Sequence, residues 1–324
     1  METTPASPAY LTRSARYYAF TKNVQPWIYN FILIIVCIFM LSPVLGTVLT
    51  SLKQQIDVQR KPPLLLPCDT DTQDFDIGAC RFVLEGYDRV IDIKPNPDAV
   101  FGYEMQGRMF SVYIPNTLIY AVSAAFLVTL FAGMAGYAFS RFHFRGRRAL
   151  QIAILAITGV PLLTNLISLY QLGVTLRKWF PGYEERFFLI LVYVGFSLPF
   201  SIWIVKAFFD TIPRELEEAS FIDGCTPVQA LFRIVAPLAA PGLTSAFLLS
   251  FVGVWNEFIA GYLLVSKNAL KTAMFGLYDF IGQFVIGYQV LAAACTLIAL
   301  PVVILFLFAR PMFFKAMVEG ALKG

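Results

Sequence analysis

"ELEEASFIDGCTPVQALFRIVAPL", residues 215–238, is a charged, helix-prone stretch set between two long apolar runs. Pro213 followed by Glu215, Glu217 and Glu218 is chemistry for a helix start, because acids complement the positive end of the helix dipole. Gly224 supplies a left-handed stop. Thr226 then offers an N-cap, Pro227 takes the first helical position, and Gln229 completes a capping box. Val228, Leu231, Phe232 and Val235 recur at i, i+3, i+4 and i+7, one apolar face, before Pro237 and Pro241 break the helix. The spacing predicts two short helices joined by a glycine corner. Local chemistry alone leaves two readings open: a well-capped solvated connector, or a docking element stiff enough to transmit a push.

The surroundings of that stretch set the fold class. Of 324 residues, 58% are hydrophobic and only 14% charged, with a mean hydropathy of +0.67. One soluble core cannot hide that much apolar surface, so the solvent is lipid. The net charge of +4 is spread along the chain rather than gathered into a stripe with interleaved aromatics, which excludes a nucleic-acid partner. The 31 phenylalanines suit lipid-facing and interhelical packing.

Six runs approach the length needed to cross hydrocarbon, starting at Trp27, Tyr113, Ala149, Phe187, Gly242 and Tyr288. The expected fold is therefore an all-α membrane protein with six transmembrane helices. The chain divides into an N-terminal arm (1–26), a first span (27–50), a long connection (51–111) and a core of five spans (112–324) that contains the loop 211–237. Lysine and arginine, with the acid-rich long connection set aside, favour the side holding both termini, and "SRFHFRGRR" at 140–148 is the densest basic cluster. Both termini and the 215–238 stretch then face the cytoplasm, with the acidic first arm turned toward it, and the long connection is external. Cys68 and Cys80 lie in that connection, placed to close a small disulfide loop or to stand as two free thiols; Cys37, Cys225 and Cys295 are expected free. The N-terminus lacks the pattern of a cleavable signal.

Spacing decides what the stretch is for. "EASFIDG" followed after nine residues by "IVAP" resembles the EAA loop of ABC-importer permeases: Glu218, Ala219, Asp223, Gly224, Ile234 and Pro237 match, while Ser220 and Ala236 are small departures. "LPFSIWIVKAFFDTIPRELEEAS", "SFVGVWNEF" and the ending "ALPVVILFLFARPMFFKAMVEGALKG" are similar to the carbohydrate-uptake branch related to maltose permease subunits. The resemblance covers roughly residues 112–324. It implies that the loop, with Glu217 beside its motif, is a coupling helix seated on a separate ATPase. It also implies a second homologous permease subunit, a dimer of ABC ATPase subunits holding ATP and magnesium, an external solute-binding protein and a sugar substrate. The chain itself has no G-x-x-x-x-G-K-[ST] phosphate loop, so no cofactor is expected here.

Charged groups inside spans are costly and face a partner or a water-filled cavity. Trp255, Asn256 and Glu257 are the expected substrate-pathway residues, since an amide, a carboxylate and a ring suit sugar hydroxyls and C–H faces. The other reading is that Glu257 pairs with a basic residue as an interhelical partner or caps a backbone break near a span end. Asn116, Asn165 and Gln171 are weaker candidates, and Pro161, Pro199 and Pro301 are read as packing kinks. A single histidine, His143, and scattered cysteines give no metal spacing and no hydrolytic triad. An ion-driven secondary transporter would show repeated halves with matching broken helices, and a membrane enzyme would need paired catalytic groups at one depth; neither pattern is present.

Overall fold

The computed structural model describes residues 25–59, 81–91, 108–281 and 287–321. Cys68, Cys80, residues 1–24 of the N-terminal arm and most of the external connection lie outside the described residues. Among the described residues all regular structure is helical. Four helices are long and apolar enough to cross a bilayer: Gln25–Ser51, Met109–Arg141, Glu185–Asp210 and Tyr288–Pro311. A fifth crossing arises if Pro227–Leu238 and Ala240–Trp255, bent by 81°, form one span.

The expected third span is two helices, Arg147–Ile157 and Leu162–Trp179. Pro161, with ψ 136° and no N–H to donate, ends the hydrogen-bond ladder instead of bending it. Pro199 and Pro301, by contrast, sit inside unbroken helices. The fifth span is also interrupted: its helix ends at Trp255 and a short one, Ile259–Leu264, follows.

The second, fourth and fifth spans form the centre. A stripe of small residues on the second span, Ala121, Ala124, Ala125, Val128 and Ala132, is fully buried, which lets neighbouring backbones approach where lipid offers no hydrophobic drive. Gly136 meets the fourth span so closely that an added Cβ would lie 3.2 Å from the Lys206 backbone nitrogen. Gly242, opening the fifth span, lies on Phe208, where a Cβ would come within 2.6 Å of the phenylalanine Cβ. Ser201 and Ser250 share a buried hydrogen bond of 3.2 Å across the same seam.

The first span lies along the sixth and exposes apolar side chains all round, from Trp27 to Leu45. Its hydroxyls bond back to its own carbonyls, Ser42 to Phe39, Thr47 to Pro43 and Thr50 to Gly46, as polar groups in lipid must. Near its end it is tied in by a hydrogen bond, where the buried Ser51 hydroxyl meets the Tyr87 hydroxyl at 2.7 Å.

Candidate functional site

The 215–238 stretch folds as its punctuation dictates. The first helix is Glu215–Ile222, with three acids in its first turn. It closes in a Schellman motif: Cys225 N–H donates to Ser220 C=O at 2.9 Å and Gly224 N–H to Phe221 C=O at 3.1 Å. Gly224 has φ +87°, the left-handed conformation that the motif needs and that side chains with a Cβ resist. The capping box is present in both directions, Gln229 N–H to Thr226 Oγ1 at 3.3 Å and Thr226 N–H to Gln229 Oε1 at 2.9 Å.

After Ala230 the second helix widens into a π segment, Leu231–Val235. The two i, i+4 pairs of the expected face turn different ways. Leu231 and Val235 are buried with Tyr137, Phe139, Val205 and Phe209, while Val228 and Phe232, expected on the same face, are exposed. Ile222 is 87% exposed and Glu218, Ala219, Asp223 and Gly224 are also on the open side. Ile234 is half-buried and Pro237 exposed.

Glu217 departs from the expected solvated acidic arm. It is 4% exposed. Its Oε1 accepts from Arg141 Nε, and its Oε2 accepts from the Tyr137 hydroxyl at 3.1 Å. Arg141 Nη2 also donates to Ile212 C=O at 3.1 Å, and Arg214 Nη2 returns to Ser140 C=O at 3.3 Å. Ser140 Oγ donates to Asp210 Oδ1 at 2.7 Å, and Lys206 pairs with the same carboxylate. The end of the second span is thus bonded to the loop. Beside it an open cleft of about 620 Å³ is lined by Arg141, His143, Arg147, Asp210, Arg214 and Glu215 among others; His143 is exposed.

At the other end of the bundle the break in the fifth span gathers Trp255, Asn256 and Glu257 but points them apart. Trp255 is 1% exposed, stacks on Phe251 at 5.5 Å and donates Nε1–H to Ile298 C=O at 3.2 Å. Asn256 is exposed and donates to Val252 C=O at 3.0 Å. Glu257 caps the short helix, accepting from Ala260 N–H at 2.8 Å and Gly261 N–H at 3.2 Å, and it accepts from the Tyr193 hydroxyl at 2.8 Å. It caps a break, as the second reading has it, and its interhelical partner is a tyrosine rather than a basic residue.

Asn116 is buried and holds the loop after the break, donating to Ala269 C=O at 2.8 Å and Lys271 C=O at 3.2 Å. Tyr120 donates to Leu270 C=O at 2.9 Å from the same helix. Asn165 is half-buried and Gln171 exposed.

Sequence reading missed Glu185, 2% exposed at the start of the fourth-span helix. It takes N–H donors from Ser266 at 2.9 Å and Lys267 at 3.2 Å, the Ser266 hydroxyl at 2.5 Å, and an ion pair from Arg177. Nearby, burial pushes the Tyr183 phenol above its ordinary range, ahead of the opposing pull of Arg177. The signal for Glu185 is an acid two residues before an apolar run, which reads equally as a solvated flank.

Residues 125–318 match the family described as "Binding-protein-dependent transport system inner membrane component". The chain is 33% identical to the sulfoquinovosyl glycerol transport system permease protein SmoH of Agrobacterium fabrum, over 66% of this chain and 73% of that one. It is 33% identical to the trehalose transport system permease protein SugB of Mycobacterium tuberculosis, over 68% and 79%. With the maltodextrin transport system permease protein MdxG of Bacillus subtilis the identity is 32%, over 64% and 74%. Among solved structures, a chain of a bacterial ABC transporter involved in the import of the acidic polysaccharide alginate superposes with a TM-score of 0.68 at 20% identity, covering 96% of this chain and all of that one.

Proposed function

The chain belongs to the family of binding-protein-dependent transport system inner membrane components, and from that premise we propose that it is the permease subunit of an ATP-driven importer for a sugar or oligosaccharide. The observation that carries the coupling role is the 215–238 corner. Two short helices are locked at Gly224 by a Schellman motif and a capping box, with their inner face buried on the spans and their outer tip left bare. Such a corner moves as a unit when pushed, because the N–H groups of Asp223, Gly224, Cys225 and Thr226 are all already bonded.

In this reading the tip seats on a separate ATPase subunit, and Glu218, Ala219, Asp223, Gly224, Ile234 and Pro237 form or support the seat. The buried side delivers the displacement to the spans. Both termini lie in the cytoplasm, a second homologous permease completes the pathway, and an external solute-binding protein delivers the sugar. ATP and magnesium belong to the ATPase pair, since this chain has no phosphate loop. The sugar class rests on what the relatives carry, trehalose and maltodextrin by name. Asn256 and Glu257 flank the pathway at the break of the fifth span, with Trp255 packed behind them to fix where the break falls.

Co-purification from the protein's own membrane in mild detergent tests the assignment. An ABC ATPase subunit is expected with the wild-type chain. Recovery of an intact permease with no ATPase subunit, under conditions that keep other complexes whole, overturns it.

A further inference from the structure

The first helix of the loop is joined by backbone to two spans, the fourth through residues 211–214 and the fifth through Pro227–Leu238. The second span has no such link, because its chain runs on into Arg147–Ile157. Yet its end is bonded to the loop at several points. We infer that Glu217 is a positioning residue whose ion pair with Arg141 makes the second span a third output of the coupling loop, an inference that rests on the permease reading above.

Burial argues for it first. The two side chains are 8% and 5% exposed, so salt screens the pair little, and neither charge has a solvated alternative if the other withdraws. Geometry argues for it second. Both carboxylate oxygens are held, one by Arg141 and one by Tyr137, and Arg141 and Arg214 each reach a backbone carbonyl on the opposite side. A contact gripped at several points resists pivoting, so it transmits rotation as well as translation. Placement argues third. Neighbouring acids take opposite faces, with Glu218 bare and Glu217 turned to the spans, which separates docking from transmission within two residues.

The far end of the lever is also bonded. Asn116 and Tyr120, on the same unbroken helix as Arg141, hold the carbonyls of Ala269, Leu270 and Lys271. From Asn116 to Arg141 the helix runs about 37 Å at its fixed rise per residue. A displacement of the loop is thereby delivered, through one rigid helix, to the segment that follows the Glu257 break.

Amide hydrogen exchange on the purified complex, with and without ATP and magnesium, reads both ends without needing the sugar. In the wild type, ATP is expected to change protection at 215–222 and at 265–273. In Glu217→Gln the change at 215–222 persists, and the change at 265–273 falls by about tenfold, the scale of losing a buried charge-assisted bond. Tyr137→Phe, which removes one donor and strands no charge, gives an intermediate loss. Exchanging the charges, Glu217→Arg with Arg141→Glu, restores the distant response. An undiminished change at 265–273 in both Glu217→Gln and Tyr137→Phe overturns the inference, as does loss of the ATPase subunit from both. A wild-type complex with no ATP response at 215–222 overturns the permease reading instead.

Discussion

Substitution of Gly224 separates a corner that matters for the chain's own fold from one that matters for docking, because the two roles rank the same variants in opposite orders. Gly224 has φ +87°, where a residue with a Cβ costs about 1–2 kcal/mol. An added Cβ there would meet nothing within 4 Å, so no steric cost inside the chain adds to the backbone cost. Asn and Asp tolerate the left-handed region better than Ala. For the isolated fold, then, Ala is the worst replacement, by about 1 kcal/mol or roughly fivefold in the local equilibrium, and Asn and Asp are milder. For docking, side-chain volume at a bare tip sets the order, and Ala becomes the mildest. The tip already carries exposed Glu215, Glu218 and Asp223, so a surface that receives it tolerates negative charge. Gly224→Asn and Gly224→Asp are accordingly expected to act alike, through bulk. The assay is the ratio of co-purified ATPase to permease, beside the melting temperature of the permease in detergent. The expected result is at least a tenfold fall in that ratio for Asn and Asp, a smaller fall for Ala, and near-equal membrane insertion for all three. Ala as the most damaging variant, or wild-type ATPase recovery with Asp, refutes the docking argument.

Three other outcomes follow from packing and hydrogen bonding. Glu185→Leu removes the charged acceptor of the Ser266 and Lys267 N–H groups; both residues are exposed, so water takes over part of the bonding and the expected cost is about 1.5–3 kcal/mol, the worth of hydrogen bonding to a charged group, while Arg177 is half exposed and adds little. Thermal unfolding together with hydrogen exchange at 265–267 checks it, and an unchanged melting point speaks against a buried hub. Gly242→Ala drives a methyl into Phe208 for about 1–3 kcal/mol, and Phe208→Leu in the same chain should recover part of that; a neutral Gly242→Ala would mean that the fourth and fifth spans are not in close contact there. Trp255→Phe keeps the stack on Phe251 and loses the bond to Ile298. It should lower the melting point while leaving sugar uptake per assembled complex unchanged, whereas Asn256→Ala should do the reverse.

What the sequence made legible was local, and what it hid was long-range. Thr226, Pro227, Gln229 and Gly224 act on neighbours within a few residues, so their order along the chain is enough to specify the corner, and the corner appears as read. The apolar runs likewise place the four long span helices. Pro161 differs from Pro199 and Pro301 for a reason that residue type alone does not report, since Pro43, exposed on the first span, also sits inside an unbroken helix. The Glu217 and Arg141 partners stand 76 residues apart, and Glu185 finds its donors 81 and 82 residues on. No periodicity reports such pairings, and each acid has an equally good reading as a solvated flank of an apolar run. Trp255, Asn256 and Glu257 show the same division. Their spacing announces an interruption in a span, yet which side chain turns inward depends on which carbonyl of the sixth span lies within reach. That carbonyl, on Ile298, takes the indole, and the carboxylate is left to close the helix that the break has opened.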